Sequence, residues 1–585
     1  MNLIKAIESR MSENDKKQLG NIFAPHEVAV PIEDASQWLT VTRSGEIRSY
    51  GFVNRHTPND PGERAYIASC DGGLSWKLHT DIGGKAIGPC RYIPELDTYI
   101  CLATASCRPE IDALKGKSGT YAMFSKKGPD DENFEIHKIS EDSFHLFFRN
   151  YVYIPETDRL IAVTEKTTDD GIYHSVVLVS DDRGKTWDIK YLQSLPRFEM
   201  TPPDRAMRWQ NHSCEPTITR LADGTLKIIC RTSYNYHYQY TSSDNGTNWS
   251  GYERSPFHST LTMPCFKRLS SGRLLFFWCN TQPLPEPPVE ELTPKQGDDI
   301  ISGRWESVFT NRDANHCAYS DDEGRTWHGC REIALNHYRN YSDFRTLCED
   351  DDSRDKSVHQ FDAIELPQGK LLLSFGQHIS RRLVIMDPKW LEEKSRHEDF
   401  RHGLGKVSTQ VYVKSVSGGH RGFPGHCAWN RTNGAMLLPD PANNGEEALY
   451  ITRINDDRLY SQMQGVVWNF PASFAGTVKM RIMPDKDGLS VSLTDRWFNP
   501  IDTEVRKQAQ ISFAAAGSGF AEGEWIDVEI KWTNGKYTAY AGGKIISDGA
   551  WSCNSELGLS YLVVQSMKND FNGGSYIKYF DMKAD

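Results

Sequence analysis

No run in the 585 residues approaches the roughly 20 apolar residues that cross a bilayer, so no membrane-spanning helix is predicted. The opening MNLIKAIESRMSENDKKQL lacks the apolar core of a signal peptide and predicts one short amphipathic helix. Cys-x-x-Cys pairs are absent too: the 13 cysteines stand singly, an odd count that fits buried free thiols rather than a disulfide frame or a zinc site. Such thiols suit a reducing compartment. Localisation stays open, cytoplasmic as the chain stands and secreted or periplasmic if a leader has been removed. An excess of positive charge is also missing. Lys+Arg 67 against Asp+Glu 78 gives −11, which argues against a coat for nucleic acid but allows a few arginines to set the sign of one cavity. The 38% hydrophobic and 25% charged fractions describe a soluble globular chain, and its length asks for two or three domains. With 15 Trp, 25 Tyr and 45 Gly, it reads as a strand-and-turn protein or a sugar binder.

Repeats are what the sequence has instead. Four segments share S-x-D-x-G-x-[TSN]-W, starting at Ser69, Ser180, Ser242 and Ser320. Short Asp and Ser side chains bond back to turn amides, Gly takes the left-handed position, and Trp fills the gap between sheets. The first spacing is too long for one sheet of four strands and predicts an extra sheet that lost its motif. A second repeat agrees: six period-two hairpins turn at Gly45, Asp97, Asp158, Gly224, Gly272 and Gly369. The expected fold is therefore all-β. Residues 1–29 are expected to form an N-terminal helix and lead-in, 30–392 a six-bladed β-propeller, and 393–585 a β-sandwich of jelly-roll, concanavalin or laminin-G type. The Asn534-Gly535 turn is the strongest hairpin signal of the last part. The aromatics of DRWFNP at 495–500 are read as packing, and the Pro- and acid-rich stretch 281–303 as an insertion overhanging one face.

In a propeller, chemistry belongs at the channel mouth, where the innermost strands converge. The position nine before each hairpin turn carries Ser36, Gly88, Arg149, Glu215, Met263 and Gln360. Polar and charged groups are unexpected at one equivalent place in a purely packed strand. Seven after the turn come Glu165 in the third repeat and Arg231 in the fourth. Trp209 and Gln210, just before Glu215, are read equally as sugar-flanking and as packing residues. His212, His316, His359 and His378 share no ligand spacing, so no metal and no cofactor are implied.

The boxes, the hairpin EPTITRLADGTLKIICR and the later NRDANHCAYSDDEGRTW resemble the sialidase (neuraminidase) superfamily, in a divergent, bacterial-type form. The resemblance covers about two-thirds of the chain. It implies an exo-acting glycoside hydrolase with an arginine clamp for a sugar carboxylate, matched in order and type by Arg149, Arg231 and Arg312, with Glu215 beside them. It implies an acid/base Asp in the loop after Arg149, at Asp169 or Asp170, with Asp60 a rival. The place of the family's nucleophilic Tyr reads Val358-His359-Gln360-Phe361-Asp362, and an amide cannot attack an anomeric carbon as a phenolate does. Water activated by a carboxylate and positioned by Gln360 is the simplest substitute, with Glu215 or Asp362 as base; strand alternation would put Asp362 on the side of Gln360. Inversion follows. Retention would instead implicate a loop tyrosine, Tyr234, Tyr236, Tyr238 or Tyr240. The implied substrate is a sialylated or other acidic glycan, with His359 among its contacts. Two alternatives are a hydrolase or lyase acting on uronic-acid polysaccharide, and a non-catalytic glycan-binding propeller.

Overall fold

The computed structural model describes residues 2–31, 34–53, 63–80, 85–108, 110–144, 150–168, 172–199, 208–259, 261–283, 312–335, 358–376, 381–416, 429–432, 434–459, 461–517 and 520–585. Six separate four-stranded antiparallel sheets fill the first two-thirds of the chain. Their first strands are Asp34–Val41, Arg91–Ile93, Tyr151–Ile154, Cys214–Arg220, Cys265–Arg268 and Asp362–Glu365. The second and sixth sheets carry no motif, and the second is the extra sheet that the long first spacing predicts. All six hairpin turn residues have positive φ, from 49° at Asp97 to 93° at Gly272. Gly accepts that region freely and Asp better than most residues, which is why these types recur there.

The motif builds the same turn four times. In the third sheet Gly184 N–H donates to Ser180 Oγ (2.6 Å), Thr186 N–H to Asp182 Oδ1 (2.9 Å) and Trp187 Nε1 to Gly184 O (2.8 Å). The Ser and Asp bonds recur around Asp71, Asp244 and Asp322, and the Trp bond recurs at Trp76. Backbone and side-chain donation from Asn248 brings the Asp244 carboxyl down to about 2. These aspartates are thus occupied by their own turns.

Hydrogen bonds link successive first strands all the way round. Thr40 Oγ1 donates to Cys90 O, Tyr151 OH to Tyr92 O, Asn150 Nδ2 to Ile218 O, and Phe266 N–H to Thr217 Oγ1. Ser270 N–H then donates to Glu365, and Leu39 N–H to Asp362 Oδ2 (2.8 Å), which brings the sixth sheet back to the first. The first strands of all six sheets line one central cavity of 390 Å³.

The N-terminus differs from its expectation. There are two helices, Leu3–Glu8 and Glu13–Asn21, because Ser12 and Asp15 form a reciprocal capping box that restarts the helix. His26–Val28, within the expected lead-in, is the outer strand of the sixth sheet, paired with Arg382–Met386.

Beyond residue 393 an eight-stranded and a five-stranded sheet share one core, in which Trp468, Leu489 and Val491 meet Met480, Val528, Trp532 and Phe580. Asn534 (φ 42°) and Gly535 (φ 87°) turn one of its hairpins. The 495–500 aromatics pack: Trp497 and Phe498 are fully buried, and Trp497 pairs with Thr281 and bonds to Asn280 and Gln282.

Candidate functional site

Glu215 enters the fourth sheet at a register shift between Cys214 and Thr217, with φ 48°. A bulge of this kind re-aims a side chain at the cost of local strain, and such strain collects at functional positions. Leu261 (φ 49°) and Gln360 (φ 69°) carry the same backbone feature at the entries to the fifth and sixth sheets. The Glu215 carboxylate accepts from Arg231 Nη1 at 3.1 Å, with both side chains about nine-tenths buried. The Glu215 amide donates to the carboxylate of Glu165 from the neighbouring sheet. Two carboxylates and one guanidinium therefore share a buried place at one end of the ring. The thiol next door is no competitor: burial pushes Cys214 well above the thiol range, and its Sγ donates to Asn211.

The cluster extends through Trp209. The Arg231 guanidinium lies 5.3 Å from the centre of the Trp209 ring, Tyr173 meets that ring edge-on at 5.0 Å, and Trp209 packs against Leu261. Arg312 donates to the carbonyl of Leu261 and, at 3.4 Å, to His359 Nε2; both residues are almost wholly buried. The structure thus brings together Glu215, Arg231, Trp209, Arg312 and His359 of the sequence-derived set. Gln210 is spent on packing, its amide bonded to both backbone atoms of Phe198 and to Arg208 O.

Asp362 goes elsewhere. The strand begins only at Asp362, and the left-handed Gln360 breaks the alternation that would have put the two side chains together. Asp362 Oδ2 instead accepts from Leu39 N–H and from Arg91 Nη2 (2.6 Å) inside the central cavity. Arg149, Asp169 and Asp170, with the rival Asp60, His378 and all but the start of the 281–303 insertion, lie outside the described residues.

Of the four tyrosines read as loop residues, Tyr236, Tyr238 and Tyr240 lie on the strand Tyr236–Ser242, and all four face other partners. Tyr234 OH donates to Pro196 O, Tyr240 OH donates to Gln193 O within the core, Tyr236 lies under Arg254, and Tyr238 meets Tyr234 at a tilt and Tyr252 edge-on. The tyrosine beside Glu165 and Arg231 is Tyr173. Burial lifts its phenol above the ordinary range and the Glu165 carboxylate adds to the lift, so it stays protonated near neutrality.

Other neighbours escaped the sequence reading. Asp313, next to Arg312 and fully buried, accepts from the phenol of Tyr412 and from Gln410 Nε2 (3.4 Å). Tyr412 comes from the chain beyond residue 393, so no repeat-based alignment points to it. His237 is held neutral, burial taking it down to about 3. Among the described residues no group of three or more His, Cys, Asp or Glu stands in position to hold a metal ion.

Residues 149–293 match the family model of the BNR repeat-like domain. No curated protein matches. Among solved structures the chain is similar to a Trypanosoma rangeli sialidase in complex with 2,3-difluorosialic acid, at 12% identity and a TM-score of 0.34, over 96% of this chain and 94% of that one. It is also similar to a protein of unknown function from Dyadobacter fermentans, at 14% identity and a TM-score of 0.36, over 62% of this chain and 97% of that one. Likenesses this loose place no residue of the site. The family match falls on the third, fourth and part of the fifth sheet, where Glu165, Glu215 and Arg231 reside.

Proposed function

We propose that this chain, which carries a BNR repeat-like domain, is a sialidase-like glycoside hydrolase that releases a terminal sialic acid, or a related 2-keto sugar acid, from glycoconjugates. In this reading the six sheets are the blades of a propeller spanning residues 30–392, completed by His26–Val28, and residues 393–585 are a sandwich packed on its flank. The observation that carries the functional reading is the placement of two guanidiniums, Arg231 and Arg312, on either side of Trp209 and Leu261, with two buried carboxylates against the first.

The residues divide the chemistry as follows. Arg312, with Arg149, takes the substrate carboxylate, for which the planar guanidinium offers paired donors. Trp209 presents an apolar face to the sugar ring. Arg231 holds the Glu215 carboxylate in place, and Glu215 accepts a proton from water positioned by Gln360. That water attacks the anomeric carbon as the glycosidic oxygen leaves, protonated by an acid in the loop of Asp169 and Asp170. A protonated Tyr173 is a hydrogen-bond donor rather than a nucleophile. Single displacement with inversion follows.

The test is incubation with sialyllactose, followed by proton NMR of the anomeric region from the earliest time. Release of sialic acid as the inverted anomer, lost in Glu215→Gln, is the expected result. A retained first product would sink the single displacement. No release from sialyllactose, mucin or other sialosides would sink the hydrolase. A second reading, a lyase acting on uronic-acid polysaccharide, draws on Tyr173 beside Arg231, a phenol next to a cation able to neutralise a carboxylate. A product absorbing in the near ultraviolet would identify it.

A further inference from the structure

The central cavity is separate from this cluster. Its lining runs from Arg91, Asn150 and Asp362 at the starts of their strands to Glu95, Arg220 and Arg268 at the far ends, and includes none of Glu215, Arg231 and Arg312. Most of the charge on its wall is neutralised. Arg91 pairs with Asp362 at 2.6 Å, Arg220 with Glu156 at 3.1 Å, and Arg268 with Glu323 at 2.7 Å. Asn150 is committed on both sides of its amide, to Thr217 and to both backbone atoms of Ile218. Glu95, at the rim, is exposed to solvent.

Lys267 is the exception. It projects from the fifth first strand into the cavity, and among the described residues its ammonium has neither a hydrogen bond nor an ion pair. Burial lowers its pKa, with Arg91 opposing and Asp362 supporting the charge from beyond bonding range. Arg220, on the neighbouring first strand, adds a second cation to the wall, its guanidinium paired with Glu156. A cavity with one unpaired cation, and with Arg91, Arg220, Lys267 and Arg268 against Glu95 and Asp362 on its described wall, favours an anion. Its 390 Å³ is many times the roughly 30 Å³ share of one water, so a small ion fits with part of its hydration.

We propose that the central cavity is a binding site for a small oxyanion, inorganic phosphate or a short carboxylate, held by Lys267 Nζ with the positive charge of the Arg220 guanidinium beside it. Because these residues sit on the innermost strands of the fifth and fourth sheets, an anion there ties neighbouring sheets together at the axis. Nothing in this site depends on the hydrolase reading.

The experiment is titration of the full-length protein with phosphate, and separately with acetate, against sodium chloride of equal ionic strength. Binding is read by calorimetry and by the shift in thermal midpoint. Saturable binding of phosphate or acetate that weakens about tenfold or more in Lys267→Met, the loss expected for a charge-assisted bond, is the expected result. The arm that saturates first identifies the preferred oxyanion. Glu215→Gln must leave the binding as it is; loss of binding there would place the anion in the other cluster and overturn the assignment. Absence of binding to the wild-type chain up to tens of millimolar, or equal binding to Lys267→Met, would also overturn it. Should circular dichroism show Lys267→Met unfolded, Arg220→Gln takes its place, and unchanged affinity in that variant refutes the proposal.

Discussion

Glu165 holds the least replaceable position in the buried cluster. Its carboxylate receives the amide of Glu215 at a residue whose backbone is left-handed, so it fixes the aim of a neighbour rather than merely adding charge. Changing it to Gln keeps the shape and weakens the hold. A fall in kcat of about 10²-fold or more, with KM for sialyllactose within a few-fold, is expected from steady-state kinetics. Tyr173→Phe separates two chemistries. If water attacks, kcat changes by no more than a few-fold; a collapse of about 10³-fold would make the phenol the nucleophile. Glu215 and Arg231 carry a structural burden as well, since breaking a buried pair costs about 3–5 kcal/mol. Activity losses in their variants therefore have to be read beside a thermal midpoint.

The strand His26–Val28 and the two helices before it act together as a clasp on the sixth sheet. Ile7, Met11, Leu19 and Val28 are buried against Ile364, Leu372 and Ile385. Lys370 Nζ donates to Ile22 O (2.6 Å), and Asp387 N–H to Phe23 O (3.0 Å). At about 1.5–3 kcal/mol for each large side chain buried, these contacts rival the net stability of a domain. Removing residues 1–30 also bares the edge of the Arg382–Met386 strand, an open template for pairing with another chain. Such a truncation is expected to aggregate or to elute as oligomers in size-exclusion chromatography. A soluble monomer with an unchanged midpoint would contradict the clasp.

The two halves of the molecule meet through a buried polar relay. Asn280 N–H donates to His316 Nδ1, which leaves the imidazole proton on Nε2 for the Tyr561 oxygen (2.6 Å), and Tyr561 OH donates to Glu332 (2.9 Å). Arg254 with Glu556, and the Glu332 N–H with Asn469 Oδ1 (3.2 Å), add further ties. Burial depresses both His316 and His237 to about 3. Their folded pKa values lie below the ordinary 6.5, so below that value the unfolded chain binds more protons than the native one. Stability is full above pH 6.5 and is lost as pH falls towards 3, by up to about 1.4 kcal/mol per unit for each group. Denaturant midpoints are expected to drop steadily from pH 7 to pH 4. His316→Gln, which keeps a neutral donor, flattens the slope, and an unchanged slope in that variant would remove His316 from the cause.

What the linear order of residues determined was everything with a period. Ser-x-Asp-x-Gly-x-x-Trp can satisfy its bonds only in one turn, and a Gly or Asp at each hairpin centre marks a left-handed position. The count of hairpins and the placing of Glu215 and Arg231 were therefore legible, because local physics writes them locally. The sandwich strands were legible for the same reason, from alternation and Asn534-Gly535. What only the tertiary structure decided was who faces whom. Asp362 was assigned beside Gln360 by strand alternation, yet the left-handed Gln360 precedes the strand and the ring turns Asp362 to Arg91. The partnership of Glu165 with Glu215, the nearness of Tyr173 rather than the four tyrosines read as loop residues, and the arrival of Tyr412 at Asp313 all join segments far apart in sequence. No pattern along the chain encodes such contacts, because they follow from how six separate sheets and the sheets beyond residue 393 pack against one another.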